Sequence, residues 1–483
     1  MTSWGLDWRP YMLLFSTDKL SAWILAIGSK YSHILRKWFD CGRFVYLLLC
    51  PGSVAVLCWN FYRGSQALLD QFSPPAELES RTDTVSAAMI IAIPGVTFPW
   101  QQLGYLWIAV AVSMVVHELG HALAAAAHRV QTMSVGFAIV FFFSAAFVEL
   151  DEHGIYGKLD SHAKSRIWAA GVWHNVVLAG AAGLTTVGLP ALISPLYETQ
   201  HGVVVTSVAA THPLHEVLPP RTLVSHVNGL LVTDGESWAT ALSDLAAKSG
   251  STAGFCVDRA TVVSLLEMPT SCCDPDNNSS DVCFEAYDVT MDDSAAAQVC
   301  LNVRKTFPQN GLLTRCSRSN NGDDASTRCS SAEQACVVPR LSLGQSSERL
   351  LALTIINDDG RIGRPVYFIG SPLAVAVSVT TSDFQLRKWT HLLPFWNLVP
   401  LRLVDVLLRQ LHFIVAVSAS LGVLNAAPMF YADGAELLRC ALDGVCHLPA
   451  VSTLWWSKVV LRAGTALFVA NLAVAVVLGV FTT

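Results

Sequence analysis

The chain has 483 residues and a formal net charge of −6, with 52% hydrophobic residues, 14% charged residues and a mean hydropathy of +0.45. Soluble globular proteins carry about 25% charged residues, so these values exclude a wholly soluble globule, and disorder and collagen fall with it. No basic run suggests nucleic acid as a partner, and what remains is an integral membrane protein.

Uncharged runs locate the apolar segments in chain order. Phe44–Tyr62, Thr84–Val116, Val130–Val148, Ile167–Tyr197, Gln410–Ala432 and Ala463–Thr483 contain no Asp, Glu, Lys or Arg. A bilayer crossing needs about 20 mostly apolar residues, so each run is long enough or nearly so. The fold class expected is therefore a polytopic α-helical membrane protein with about six apolar segments. Upstream of them, Met1–Arg9 lacks the basic and apolar pattern of a signal peptide. Asp18 and Lys19 interrupt Tyr11–Gly28, which reads as an interfacial helix. Pro94 and Pro99 break Thr84–Val116 into an extended or re-entrant piece around Ile91–Trp100 and a helix starting near Leu103.

Four regions follow: 1–40, a membrane block over 41–197, a hydrophilic insertion over 198–395, and a second membrane block over 396–483. Val203–Val208, Leu223–Val227, Leu351–Ile356 and Val375–Val379 read as strands, which makes the insertion β-rich. Within it, residues 256–336 hold Cys256, Cys272, Cys273, Cys283, Cys300, Cys316, Cys329 and Cys336, eight of the chain's 13 cysteines. The segment has no CxxC pair and no His, so disulfides in an oxidising compartment are expected rather than a zinc module. Asn277 and Asn278 each open an N-glycosylation triplet in Asn277-Asn278-Ser279-Ser280, which points to the lumen of the secretory pathway.

His117-Glu118-Leu119-Gly120-His121 is an HExxH motif inside an apolar helix. Residues i and i+4 share a helix face, so both imidazoles can bind one Zn²⁺ while Glu118 acts on water. Ionisable groups at membrane depth are costly and usually functional. A catalytic zinc keeps three protein ligands and one open position, so a third ligand must come from elsewhere. Asp433 is best placed, in Asn425-Ala426-Ala427-Pro428-Met429-Phe430-Tyr431-Ala432-Asp433-Gly434, where Pro428 should end the helix and turn the carboxylate inward. Glu436, Asp405 and His412 are the alternatives. His174 reads as an interhelical hydrogen bond rather than a ligand.

HELGH in an early span and N-x-x-P-x-x-x-x-D-G in a late one resemble the site-2 protease family of intramembrane zinc metalloproteases. Ala170-Gly171-Val172-Trp173-His174-Asn175, the segments around Cys272 and Cys283, and Val203–Val208 followed by Val227-Asn228-Gly229 in PDZ-like order add to the resemblance. It runs from about residue 35 to the C terminus. It implies one catalytic Zn²⁺ on His117, His121 and Asp433, Glu118 as general base, and Asn175 and Asn425 holding the substrate backbone or the oxyanion. The insertion would be a PDZ-like lumenal domain. The substrates implied are single-span, membrane-tethered transcription factor precursors, pre-cut by a lumenal protease in the Golgi or endoplasmic reticulum membrane. Cleavage within the lipid bilayer would release a cytosolic domain.

Two other classes compete. A zinc or ion transporter would place acidic or His residues along successive spans, and these uncharged runs hold almost none beyond the motif. An inactive scaffold would have lost Glu118 or a ligand, and all are present.

Overall fold

A computed structural model of the chain describes residues 4–9, 12–70, 99–140, 143–199, 201–247, 253–266, 282–287, 297–307, 314–317, 329, 331, 333–340, 349–357, 361–363, 365–392, 401–444 and 450–481. The piece expected around Ile91–Trp100 lies almost wholly outside them, as do Asn277, Asn278, Cys272 and Cys273. The chain divides into two compact units, 1–190 with 407–483, and 191–406.

The first unit begins with strands β1 (Trp4–Arg9) and β2 (Met12–Thr17), then helices α1 (Lys19–Lys30), α2 (Ser32–Asp70) and α3 (Leu103–Ala127). Strands β3 (Thr132–Val140) and β4 (Phe143–Leu150) and helices α4 (Glu152–Lys158) and α5 (Ser161–Ile193) complete its first part. Among the described residues, five helices are long and apolar enough to cross a membrane: Ser32–Leu69, Trp100–Ala127, Ser161–Ile193, Leu403–Ala426 and Leu454–Gly479. Leu184, Val187 and Leu192 on α5 are 78%, 82% and 77% exposed, an arrangement costly in water and natural in lipid.

Two expectations need correction here. Val130–Val148 is not a span but most of the β3–β4 hairpin, and Tyr11–Gly28 is not one interfacial helix but β2 followed by α1. The four strands form one antiparallel sheet in the order β1-β2-β3-β4. The reason is non-local. β2 finds its partner in β3, with Phe15 opposite Phe137 and Thr17 opposite Val135, more than a hundred residues along the chain. β-branched and aromatic residues suit such a sheet as well as they suit a span.

The HExxH helix is held from several sides. Its second half is alanine-rich, and Ala122 and Ala124–Ala127 are fully buried, which lets neighbouring backbones approach. Arg36 donates from Nε and Nη2 to the Ala127 carbonyl at 3.2 and 3.0 Å, a cation at the helix C-terminus. Arg166 grips Asp40 with two bonds of 2.8 and 3.1 Å and so ties α5 to α2.

The second unit contains β5 (Tyr197–Glu198), β6 (Val203–Val208), β7 (Leu223–Val227), β8 (Leu230–Leu231), α6 (Gly235–Ala247), β9 (Ala253–Asp258), α7 (Arg259–Leu266), β10 (Val282–Tyr287) and β11 (Ala297–Leu301). These are followed by α8 (Val303–Thr306), β12 (Arg315–Ser317), β13 (Gln334–Pro339), β14 (Arg349–Ile356), β15 (Val366–Gly370), α9 (Pro372–Ser378), β16 (Val379–Ser382) and β17 (Gln385–Leu386). One sheet runs β15-β14-β7-β6-β16 with β8 on β7, and another runs β11-β10-β13-β9-β12. Trp238, Ala241, Leu242 and Leu245 recur at helical spacing on α6 and join the valines of β6 and β7 in one core. Val375–Val379, expected as a strand, is mostly helix α9. Ser371 caps it, accepting from the Ala374 N–H at 3.5 Å, and Pro372 opens it, a start signal that overrides the β-branched run.

The insertion is oxidised as expected. Cys256 pairs with Cys329 and Cys316 with Cys336, and Cys283 and Cys300 are disulfide-bonded too. Sequence separations of 73 and 20 residues give each printed bridge about 3–5 kcal/mol of stabilisation through lost unfolded-chain entropy.

The chain re-enters the first unit with α10 (Leu403–Ala426), whose residues from Leu407 on belong to it, then α11 (Asp433–Gly444) and α12 (Ala450–Phe481). α10 meets α3 through a bond of 2.7 Å between Ser113 and Ser418 and another of 3.2 Å from Gln410 Nε2 to the Tyr105 carbonyl.

Candidate metal centre

Pro428 lies two residues beyond the end of α10. The residue before a proline is driven out of the helical region, and the chain leaves the helix at Ala426. The turn that follows is fixed by the Phe430 N–H, which donates to Thr465 Oγ1 on α12 at 3.0 Å. It places Asp433 as the first residue of α11, with Gly434 so close to the Ala427 carbonyl that a side chain there would collide with it.

This brings the Asp433 carboxylate to the two imidazoles of α3. Asp433 Oδ2 is 3.1 Å from His117 Nε2 and 3.3 Å from His121 Nε2, and the two Nε2 atoms are 3.2 Å apart. Three ligand atoms on a tetrahedral metal with bonds of about 2.0–2.1 Å stand about 3.3–3.4 Å from one another. The observed triangle is close to one face of that tetrahedron. The distances also satisfy an ion pair, yet Asp433 Oδ2 is buried without an aligned donor. The three atoms, from two helices far apart in sequence, meet within 3.3 Å of one another, as a metal's ligands do. His117 and His121 are only 7% and 5% exposed.

Gly171 on α5 forms the other wall. A Cβ there would meet His121 Nε2, and would lie 2.6 Å from both Cε1 and Nε2 of His117. Only glycine lets the two imidazoles lie against this helix. Ala169-Ala170-Gly171 inside an apolar span carries the small-residue signal of close helix contact.

Each imidazole is oriented from behind. His121 Nδ1 donates to the Ile167 carbonyl at 2.8 Å, which leaves Nε2 facing the centre. His117 Nδ1 lies 3.0 Å from Asn175 Nδ2, while Asn175 Oδ1 is buried without a partner. An N–H of Asn175 donating to Nδ1 would force the imidazole proton onto Nε2, against the other two ligand atoms. A half-turn of the amide removes both faults: Oδ1 accepts from His117 Nδ1–H, and His117 Nε2 is left unprotonated.

The other polar groups are engaged elsewhere. His174 donates from Nδ1 to the Val116 carbonyl at 3.2 Å and accepts from Trp38 Nε1 at 3.3 Å, so it ties α3, α5 and α2 together. Glu436 pairs with Arg439 one turn along α11. His412 is exposed on α10. Asp405 bonds Ser382 within the second unit. Asn425 is half-buried in the last turn of α10. Glu118 is half-buried on α3, and the backbone N–H of Val148 on β4 faces its carboxyl. Cys256, Cys316 and Cys329 also gather their sulfurs within 4.8 Å, but each is already in a disulfide.

Residues 105–471 match the profile of peptidase family M50. The chain is also 25% identical to a membrane-bound transcription factor site-2 protease homolog of Arabidopsis thaliana, over 88% of this chain and 84% of that protein. The chain belongs to peptidase family M50, the site-2 protease family, and is a metalloprotease that acts within the membrane.

Proposed function

We propose that His117, His121 and Asp433 hold one zinc ion and that Glu118 is the general base for cleaving a peptide bond of a transmembrane helix. The triangle of ligand atoms carries this reading. Zinc held there would supply Lewis-acid chemistry, polarising the scissile carbonyl and making a water more acidic. Glu118 takes the proton of the attacking water and passes it to the departing amine. Asn175, once its amide is turned, aligns His117 through Oδ1. Asn425 offers a second amide close in sequence to the ligand-bearing turn.

The substrates proposed are single-span, membrane-tethered transcription factor precursors already cut on the lumenal side, and the product is a released cytosolic domain. The printed name of the Arabidopsis relative supports the substrate class. The disulfides support a lumenal second unit in the Golgi or endoplasmic reticulum membrane. β6, the Asn228-Gly229 turn and the amphipathic α6 support a PDZ-like role for that unit.

The proposal is tested with purified protein, assayed for zinc by elemental analysis and for cleavage of model transmembrane helices. A continuous helix satisfies its own backbone groups, so opening it in lipid exposes donors and acceptors at several kcal/mol each. Gly or Pro near the cut lowers that cost by about 1 or 3 kcal/mol relative to Ala. Replacing them with Leu or Ala should slow cleavage by about one to two orders of magnitude. Zinc-free protein that cleaves normally, or uninterrupted helices cut as fast as interrupted ones, would overturn it.

The assigned role of Asn175 gives a separate expectation. Asn175→Asp keeps an acceptor for His117 Nδ1–H and should hold zinc as the native protein does. Asn175→Leu removes the acceptor and should weaken zinc binding by about 10–100-fold. Equal zinc affinity of the two variants in a chelator competition would remove Asn175 from the support of His117.

A further inference from the structure

A cavity of about 270 Å³ opens against Glu118, between the inner face of the β2–β3–β4 sheet and helices α1 and α3. Phe15, Phe137 and Ala146 stand abreast on the three neighbouring strands and form one wall. Ile24 of α1 and Leu119 and Ala122 of α3 form the other. Apart from Glu118, Ser16 and Thr17, every lining residue is apolar or glycine.

Its place relative to the metal centre follows from helix geometry. At about 100° per residue, His117 and His121 share one face of α3, and Leu119 and Ala122 form a stripe well around the helix from them. Glu118 falls between the two. One carboxylate therefore borders both the point where the three ligands converge and the apolar cavity.

We infer that this cavity receives an apolar side chain of the substrate, that of a residue immediately flanking the scissile bond. The inference rests on the proposed role of Glu118. A substrate opened for cleavage is extended, and its successive side chains point to opposite sides. With the scissile carbonyl at the ligand triangle, one flanking side chain is directed past Glu118 into this space. The volume falls below the about 300–1,000 Å³ of sites for drug-sized ligands and is ample for one branched or aromatic side chain. Ala146 and Ala122 set its depth, and Phe137 sets its width. None of these residues belongs to the HExxH or Asp433 motifs.

The test uses the full-length, zinc-loaded protein and model transmembrane helices carrying Gly, Ala, Leu or Phe in turn at each position flanking the cut. The native protein should prefer Leu or Phe over Gly or Ala at one flanking position by about tenfold or more in kcat/KM. Ala146→Leu fills the cavity and should move that preference to Ala and Gly at the same position. Phe137→Ala enlarges it and should raise the ranking of Phe over Leu there. Zinc content, read by elemental analysis, should be unchanged in both variants. An unaltered ranking in either variant that still binds zinc overturns the inference, and so does an equal preference at every flanking position in the native protein. A native protein that binds zinc and cuts none of the helices overturns the assignment of Glu118 and its site instead.

Discussion

Glu118→Gln is expected to abolish cleavage and to leave zinc bound. Among the described residues, the group able to hold a metal at this site consists of His117, His121 and Asp433, without Glu118. The glutamate therefore lies beside the ligand triangle rather than in it, and the variant changes no ligand. Gln has the shape and hydrogen-bonding reach of Glu but cannot accept a proton at neutral pH. Losing a positioned general base costs about 10²–10⁴-fold in rate. Turnover of a model transmembrane helix should fall by that factor while zinc stoichiometry stays at one per chain. Glu118→Asp is the companion variant: it keeps the base but withdraws it by one methylene, so activity should be partial. Full activity of the Gln variant would remove Glu118 from the chemistry. Loss of zinc would make it part of the metal's support.

The parts of this molecule that could be read from the sequence are those set by local physics. Prolines upstream of Leu103 and at position 428 mark helix ends because the ring removes an N–H and crowds the residue before it, and α3 begins at Leu103 and α10 ends at Ala426, although Pro51 and Pro190 are carried inside α2 and α5. The i, i+4 spacing of His117 and His121 puts them on one face of any helix. Eight clustered cysteines without His or CxxC signalled oxidation, and disulfides are present.

What could not be read depended on partners distant in sequence. The lack of charge in Val130–Val148 is equally compatible with one span and with two strands of 9 and 8 residues. The choice is made by β2, which supplies a third strand from the other side of α1, α2 and α3. Nothing local to Met12–Thr17 announces that pairing. Asn175 was legible as a polar group that needs a partner in an apolar span, but the identity of the partner, an imidazole 58 residues away, was not. The role of Gly171, part of the segment that carries the family resemblance, has no local signal for a related reason. Its requirement comes from two side chains on another helix, not from its own backbone.

Asp433→Asn is the sharper of two tests of the third ligand, because it preserves volume and hydrogen-bonding shape while removing the charge. Oδ2 of this carboxylate is the atom that both imidazoles approach, at 3.1 and 3.3 Å, and it has no aligned donor of its own. Apparent zinc binding energies of about 10–16 kcal/mol for four-ligand sites average about 2.5–4 kcal/mol per ligand, so losing one should weaken zinc by about 10²–10³-fold. Asp433→Ala removes the oxygen outright and should weaken zinc at least as much, with cleavage lost in parallel. Both variants should retain α11. Asp433 stands at its first position, and the preceding turn is still held by the bond from Phe430 to Thr465. Circular dichroism and thermal unfolding would verify that before metal is measured. Native zinc affinity in both folded variants would show that the third ligand is not Asp433. Glu436 is a poor replacement because it is already paired with Arg439. Loss of zinc in Asp433→Asn, with Glu118→Gln still metal-bound, would separate the residue that holds the metal from the one that moves the proton.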